Sequence, residues 1–172
     1  MGADRVKLEQ DKLAVENTQY IYGDISQYCK EFRVGISLLC INASDKAQSF
    51  FQLAYESVNY RDLYHNKYAS YCGLSRILNG DIAGLQLCRD AARNEKRDAD
   101  VYLNLARAEW QLKRRMNAVE ALEKGLDINR QHPGIHKMRQ ELGVRRRKFF
   151  PVLDRSNPLN NSLGKLFRTK DL

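Results

Sequence analysis

Apolar side chains recur at helical spacing along most of this chain, in blocks separated by polar turn residues. Within each block they follow one another at intervals of three and four residues, which is typical of amphipathic helices. Residues that end helices fall between the blocks, at positions 42–45 and 79–81. The pattern therefore predicts an all-α protein built from short helices joined in pairs by tight turns.

The pattern repeats at a fixed distance along the chain. Residues 66–93 align with residues 100–127 at an offset of 34, so that small residues match small ones and bulky residues match bulky ones. The matched pairs are Tyr68 with Tyr102, Tyr71 with Leu105, Cys72 with Ala106, Gly84 with Ala118, Cys88 with Leu122 and Ala91 with Gly125. An earlier copy, which includes Gly35, Ala47 and Phe51, fits at an offset of 37 and indicates an insertion around residues 62–64.

Side-chain volume explains why small residues recur at equivalent positions of each copy. Two helices that cross closely need small side chains at the contact, and bulky residues around them fill the layer. We expect these contacts at Gly35, Ala47, Cys72, Gly84, Ala106 and Ala118. One helix pair cannot bury its own apolar face, so neighbouring pairs stack, and about three copies are needed for a stable stack.

This 34-residue pattern resembles the tetratricopeptide repeat family. The third copy carries its signature as Tyr102, Leu105-Ala106, Ala118 and Leu122, and departs from it at Glu109, Gly125 and Arg130. The resemblance covers residues 28–148. It implies antiparallel helix hairpins stacked in a right-handed superhelix, with about three repeats, a C-terminal capping helix and a concave groove lined by the first helix of each pair.

The domain organisation follows from the extent of the repeats. We expect residues 28–148 to form the helical repeat domain, closed by a capping helix over residues 135–148. Residues 1–27 form an N-terminal segment that is partly disordered or a short helix. Residues 149–172 form a basic and apolar extension that packs on the last helices, because this segment is too apolar for an exposed tail.

The resemblance also implies which residues face a partner. Among the family's groove positions, the candidate partner-binding residues in this chain are Arg33, Asn66, Ser70, Asn104, Arg107 and Lys137. Asparagine can hold a peptide backbone through paired hydrogen bonds, and arginine or lysine can bind a carboxylate. The alternative is that these residues are ordinary solvated helix positions. The first copy lacks the basic residue and asparagine of a chaperone-type carboxylate clamp, so the sequence does not favour a chaperone C-terminal tail as partner.

Charge changes the picture at the C-terminal end. The chain has 172 residues and a net charge of +8, and residues 133–172 hold 10 basic and 3 acidic side chains. Arg145, Arg146, Arg147 and Lys148 form a basic patch followed by two phenylalanines. The patch is either a basic helix end, which the helix dipole favours, or a docking site for a protein or an anionic membrane surface. Nucleic acid is the least favoured partner.

Candidate chemistry is sparse. The four cysteines show no zinc spacing and no C-x-x-C pair, and they are expected to be reduced thiols. His132 and His136 are separated by Pro133-Gly134, which disfavours a metal pair on one helix face. No phosphate-binding loop or nucleophile-base arrangement stands out. We therefore expect no catalysis, no cofactor and no metal.

The sequence predicts a cytoplasmic scaffold or adaptor that binds a partner protein, peptide or helix in the concave groove. No apolar run is long enough to span a bilayer, and no segment of signal-peptide type opens the chain. Two alternatives stay open. One is a structural subunit that self-associates, for example as a homodimer, through exposed helix faces. The other is a peripheral membrane adaptor that uses the C-terminal basic segment.

Overall fold

A computed structural model of the protein describes residues 25–144, and within this range every regular element is an α-helix. The seven helices are α1 (Lys30–Cys40), α2 (Ser44–Glu56), α3 (His65–Leu78), α4 (Gly84–Asn94), α5 (Ala99–Gln111), α6 (Arg115–Ile128) and α7 (Pro133–Glu141). The all-α prediction is confirmed for the described residues. All seven helices belong to one compact unit that ends at Leu142, and only the first two residues of the following unit are described.

Helices that are neighbours in the chain are also neighbours in space. The pairs α1–α2, α3–α4 and α5–α6 pack as hairpins, and α2 and α4 each pack on the first helix of the next hairpin as well. Helix α3 also packs on α5. The turns within the hairpins lie at residues 41–43, 79–83 and 112–114. The first two coincide with the predicted helix breaks.

Small residues lie at the helix crossings, as predicted. Gly35, Ala47, Cys72, Gly84, Ala106 and Ala118 are all buried. The tightest crossing joins α3 to α4, where a methyl group on Gly84 would collide with the carbonyl oxygen of Gly73. A methyl group on Gly73 would in turn lie 2.6 Å from the carbonyl oxygen of Gly84. The backbones of these two helices approach so closely because both residues lack a Cβ.

Aromatic side chains fill the space around the first crossings. Phe32, Phe51, Tyr68 and Tyr71 are buried together, and the Phe32 and Tyr68 rings stack with their centroids 4.6 Å apart. The hydroxyl oxygen of Tyr68 accepts a hydrogen bond of 3.0 Å from the backbone N–H of Cys29. A buried tyrosine thus satisfies its polar end while its ring joins α1 to α3.

The turns between hairpins differ in length in the way that the repeat offsets indicate. Residues 57–64 connect α2 to α3, whereas the shorter segments 95–98 and 129–132 connect the later helices. The longer connection contains residues 62–64, where the sequence alignment places an insertion. Its conformation is held by the Asp62 carboxylate, which accepts a hydrogen bond of 2.9 Å from the backbone N–H of Tyr64.

The closing helix is shorter than predicted. It begins at Pro133 and ends at Glu141, whereas the sequence predicted residues 135–148. His132 caps its N-terminus, because its ring accepts a hydrogen bond of 3.3 Å from the backbone N–H of Ile135. Gly143 ends it with a φ of +61°, a left-handed conformation that favours glycine. Ile135 and Met138 on this helix are buried, and so is Leu142 directly after its end.

Candidate functional site

The first helices of the hairpins contact one another in chain order and continue into α7. The Phe32 and Tyr68 rings connect α1 to α3. The Asn104 side-chain amide donates a hydrogen bond of 3.1 Å to the hydroxyl oxygen of Ser70, which connects α3 to α5. The Asp100 carboxylate and the His132 ring, 3.0 Å apart, connect α5 to the start of α7. This series of first helices is where sequence analysis placed the partner-binding residues.

Ser70 and Asn104 lie in the interior, and this placement corrects the expectation that they face a groove. Both side chains are fully buried, and they are hydrogen-bonded to each other. Ser70 also donates a hydrogen bond of 2.8 Å to the backbone carbonyl of Lys67. Because α3 is packed against three other helices, including α5, the side chains of Ser70 and Asn104 are covered. Neither side chain presents a polar atom to a partner in this structure.

The other predicted groove residues keep access to solvent. Arg33 on α1 and Lys137 on α7 are exposed, and Arg107 on α5 is partly exposed. None of these three cations has an ion-pair partner among residues 25–144. Asn66 is half-buried, and its side-chain amide donates a hydrogen bond of 3.2 Å to the Glu95 carboxylate. The predicted basic patch Arg145–Lys148 lies outside the described residues.

A charged network that the sequence analysis missed joins the first helices. The Lys67 ammonium group on α3 lies 2.9 Å from the Asp98 carboxylate and 2.8 Å from the Asp100 carboxylate. It also lies 4.9 Å from the centre of the Tyr28 ring, a cation–π contact. The second carboxylate oxygen of Asp100 contacts Nε2 of His132. Since Nδ1 of His132 accepts from Ile135, the hydrogen bond to Asp100 uses the proton on Nε2.

Burial and charge pairing shift the pKa values in this network in opposite directions. Burial alone would lower the pKa of Lys67, but the carboxylates of Asp100 and Asp98 raise it above its usual value. Burial alone would raise the pKa of Asp100, but the hydrogen bond from His132 and the charge of Lys67 hold it well below its usual range. Lys67 is therefore a paired ammonium ion and not a nucleophilic amine. The network works as a crosslink between helices.

One member of this network, Asp98, can be recognised from the local sequence as a helix-capping residue. Asp98 stands before an apolar periodic run, and its side chain caps α5 by accepting a hydrogen bond of 2.9 Å from the backbone N–H of Asp100. The capping role is readable from sequence, whereas the pairing with Lys67 is not. The two partners are separated by 31 positions along the chain.

One crevice beside the network is described, and it has no room for a small ligand. This narrow crevice is lined by Ile25, Tyr28, Phe32, Ile36, Lys67, Tyr71 and Asp100. Its interior does not admit a water-sized sphere. Within residues 25–144 no group of three or more histidine, cysteine, aspartate or glutamate side chains is arranged to hold a metal ion.

The buried thiols of Cys72 and Cys88 are unsuited to nucleophilic chemistry at neutral pH. Burial raises the pKa of Cys72 to about 11 and that of Cys88 to about 12. The sulfur of Cys72 donates to the Gln52 side-chain oxygen at 3.0 Å. All four cysteines lie within residues 25–144, and none of them forms a disulfide there.

In comparisons with known proteins, no protein-family model and no curated sequence matches this chain. None of the helices between residues 25 and 144 is both long and apolar enough to cross a membrane.

Proposed function

We propose that this protein is a non-catalytic scaffold or adaptor of tetratricopeptide-repeat type that binds a segment of a partner protein. In this proposal the helix hairpins form three repeats of a right-handed superhelix, and α7 closes the stack. The buried small residues at each crossing and the chain-order packing of the hairpins support this arrangement. A cytoplasmic location is part of the same proposal.

The observation that carries the proposal is a set of three cations on the first-helix series, which consists of α1, α3, α5 and α7. Arg33, Arg107 and Lys137 lie on α1, α5 and α7 and have no anionic partner among the described residues. Lys67 on α3, by contrast, is paired with Asp98 and Asp100. Cations without partners on three of these four helices favour a ligand that carries carboxylates along its length. We therefore infer an acidic peptide or the acidic face of a partner helix.

Charge reversal at two of these positions tests the proposal. The Arg107→Glu, Lys137→Glu double variant removes two attractive contacts and adds repulsion, so recovery of the partner from the native cell by affinity capture should fall at least about fivefold. The matched control is Lys96→Glu, Arg130→Glu, which changes the charge equally on exposed turns between hairpins. Equal recovery with wild type and with both variants would show that these cations do not bind the partner.

A further inference from the structure

The turns inside the three hairpins lie side by side and form one surface, here named the turn edge: residues 41–46, 78–83 and 110–117. The Asn79 side-chain amide donates to the backbone carbonyl of Ser44 at 3.1 Å, which joins the first turn to the second. Leu112, in the third turn, packs against an apolar cluster that includes Ile77 and Leu85 on the two helices that flank the second turn. The three turns therefore lie at the same end of the described hairpins.

Large apolar side chains are concentrated on the turn edge. Of the eight large hydrophobic residues that are exposed in the described chain, five lie there. These five are Ile41, Leu78, Ile82, Trp110 and Met116. Met116 is 77% exposed, Ile82 is 64% exposed and Trp110 is 42% exposed. Exposing several large apolar side chains on one surface costs free energy, and such a concentration indicates an interaction site.

The charges between these apolar residues are predominantly positive. Lys46, Lys113, Arg114 and Arg115 are exposed on the turn edge. Two of the nearby carboxylates are already neutralised within the protein: Asp81 by Arg76 at 2.6 Å, and the buried Glu109 by Arg89 at 2.6 Å. The Arg114 guanidinium lies 3.8 Å from the other carboxylate oxygen of Glu109. Arg115 donates to the backbone carbonyl of Leu142 at 2.7 Å and keeps its charge. Only Asp45 is an exposed acidic side chain on this surface.

We propose that the turn edge docks on an anionic lipid surface, with Ile82, Trp110 and Met116 inserted among the headgroups and Lys113–Arg115 against the phosphates. The apolar side chains lie in the turns or on the helix residues next to them, and polar residues such as Asn79 and Lys113 lie between them in the sequence, a spacing suited to headgroups. Tryptophan and basic side chains together are typical of proteins at the membrane interface. A second copy of the chain would bring like charges together, so it fits this surface less well.

The chain provides its own reporter for this docking. Trp110 is the single tryptophan of the sequence and lies on the turn edge. On addition of vesicles of phosphatidylcholine and phosphatidylserine to the full chain, its emission should shift to shorter wavelength and be quenched by brominated lipid. Phosphatidylcholine vesicles alone should give little shift, and salt should weaken the effect because the cations are exposed. Absence of any shift with the anionic vesicles would overturn the proposal.

Variants separate the turn edge from other sources of binding. Ile82→Asp, Met116→Asp should lower vesicle partitioning at least about tenfold, whereas the control Tyr60→Asp, Leu63→Asp, on the turn between α2 and α3, should leave it unchanged. Both pairs are exposed, so folding should tolerate them. The proposal would be overturned if Ile82→Asp, Met116→Asp bound vesicles as well as wild type, or if binding were lost only when Arg145–Lys148 are replaced by alanine. It would also be overturned if light scattering showed that wild type is a dimer and that this variant is a monomer.

This inference is independent of the groove proposal. Arg107→Glu, Lys137→Glu alters the first-helix series and leaves the turn edge intact, so its vesicle partitioning should stay close to that of wild type. A loss as large as that of Ile82→Asp, Met116→Asp would contradict the assignment of lipid binding to the turn edge.

Discussion

The crossing of α3 and α4 depends on two residues that lack a side chain. A methyl group at Gly84 would collide with the carbonyl oxygen of Gly73 and would lie 2.8 Å from Cβ of Arg76. Both obstacles are backbone or are rigidly attached to it, so the helices must separate to admit the group. Gly125 provides a contrast, because its closest obstacle is the end of the Ile135 side chain, at 2.5 Å.

We expect Gly84→Ala to lower the free energy of unfolding by about 1–3 kcal/mol, the usual cost of overpacking. Gly125→Ala should cost less than about 1 kcal/mol, because the Ile135 side chain can rotate and alanine favours a helix interior. Urea denaturation followed by circular dichroism measures both. Equal losses of unfolding free energy in the two variants would show that the close backbone contact of Gly73 with Gly84 does not make position 84 more sensitive to an added methyl group.

Elements are tied together by the Lys67 network. Lys67 is on α3, Asp98 and Asp100 are at the start of α5, and His132 is in the turn before α7. Removing one member of a buried ion pair leaves the other charge without compensation, and this loss exceeds the net contribution of the pair itself. The Lys67 ammonium group therefore joins α3 to the start of α5, and the contact of Asp100 with His132 extends the network to the turn before α7.

We expect Lys67→Met to lower the free energy of unfolding by about 2–3 kcal/mol at pH 7, because two carboxylates lose their counter-charge. The control Lys124→Met removes an exposed pair with Glu120 on α6 and should cost less than about 0.5 kcal/mol. Urea denaturation is the measurement. A loss for Lys67→Met no larger than that of the control would show that the network adds nothing to stability.

The same network predicts a pH dependence. The pKa of Asp100 is lowered in the folded protein, so its contribution is present above its unfolded value of about 3.9 and is lost as pH falls below it. The pKa of Lys67 is raised, so its contribution is present below about 10.4 and is lost above it. Wild type should lose more stability than Lys67→Met between pH 5 and pH 3, measured by urea denaturation. Parallel losses would contradict the pairing.

At the scale of the whole molecule, two basic surfaces face different partners in our proposals. The first-helix series carries Arg33, Arg107 and Lys137, and the turn edge carries Lys113–Arg115. Since both surfaces are positive, contact between identical surfaces of two copies is electrostatically unfavourable. The charge pattern therefore favours a monomer that bridges a partner and an anionic surface.

We expect light scattering coupled to size-exclusion chromatography to give a mass close to the 19.9 kDa of one chain at all loading concentrations. A dimer of constant mass on dilution would support the alternative of a self-associating subunit.

Much of the fold could be predicted from the sequence because it depends on side-chain volume and on the helical spacing of apolar residues. The buried small residues Gly84 and Ala118 and the turns at 41–43 and 79–83 lie where the repeats predicted them. The end of α7 was misjudged, because charged residues after Gly143 continue the composition of a helix whereas the positive φ of Gly143 ends it. The superhelix, the partner and the C-terminal patch stay predictions.

The sequence by itself determined the helices, the hairpins and the small residues at their crossings, because spacing and side-chain volume act between neighbours in the chain. Only the tertiary structure decided which polar residues are available. Ser70 and Asn104 are buried because α3 and α5 pack together, and Lys67 meets Asp98 and Asp100 across the same packing. Burial and charge pairing depend on elements far apart in sequence, and helical period carries no information about which of them meet.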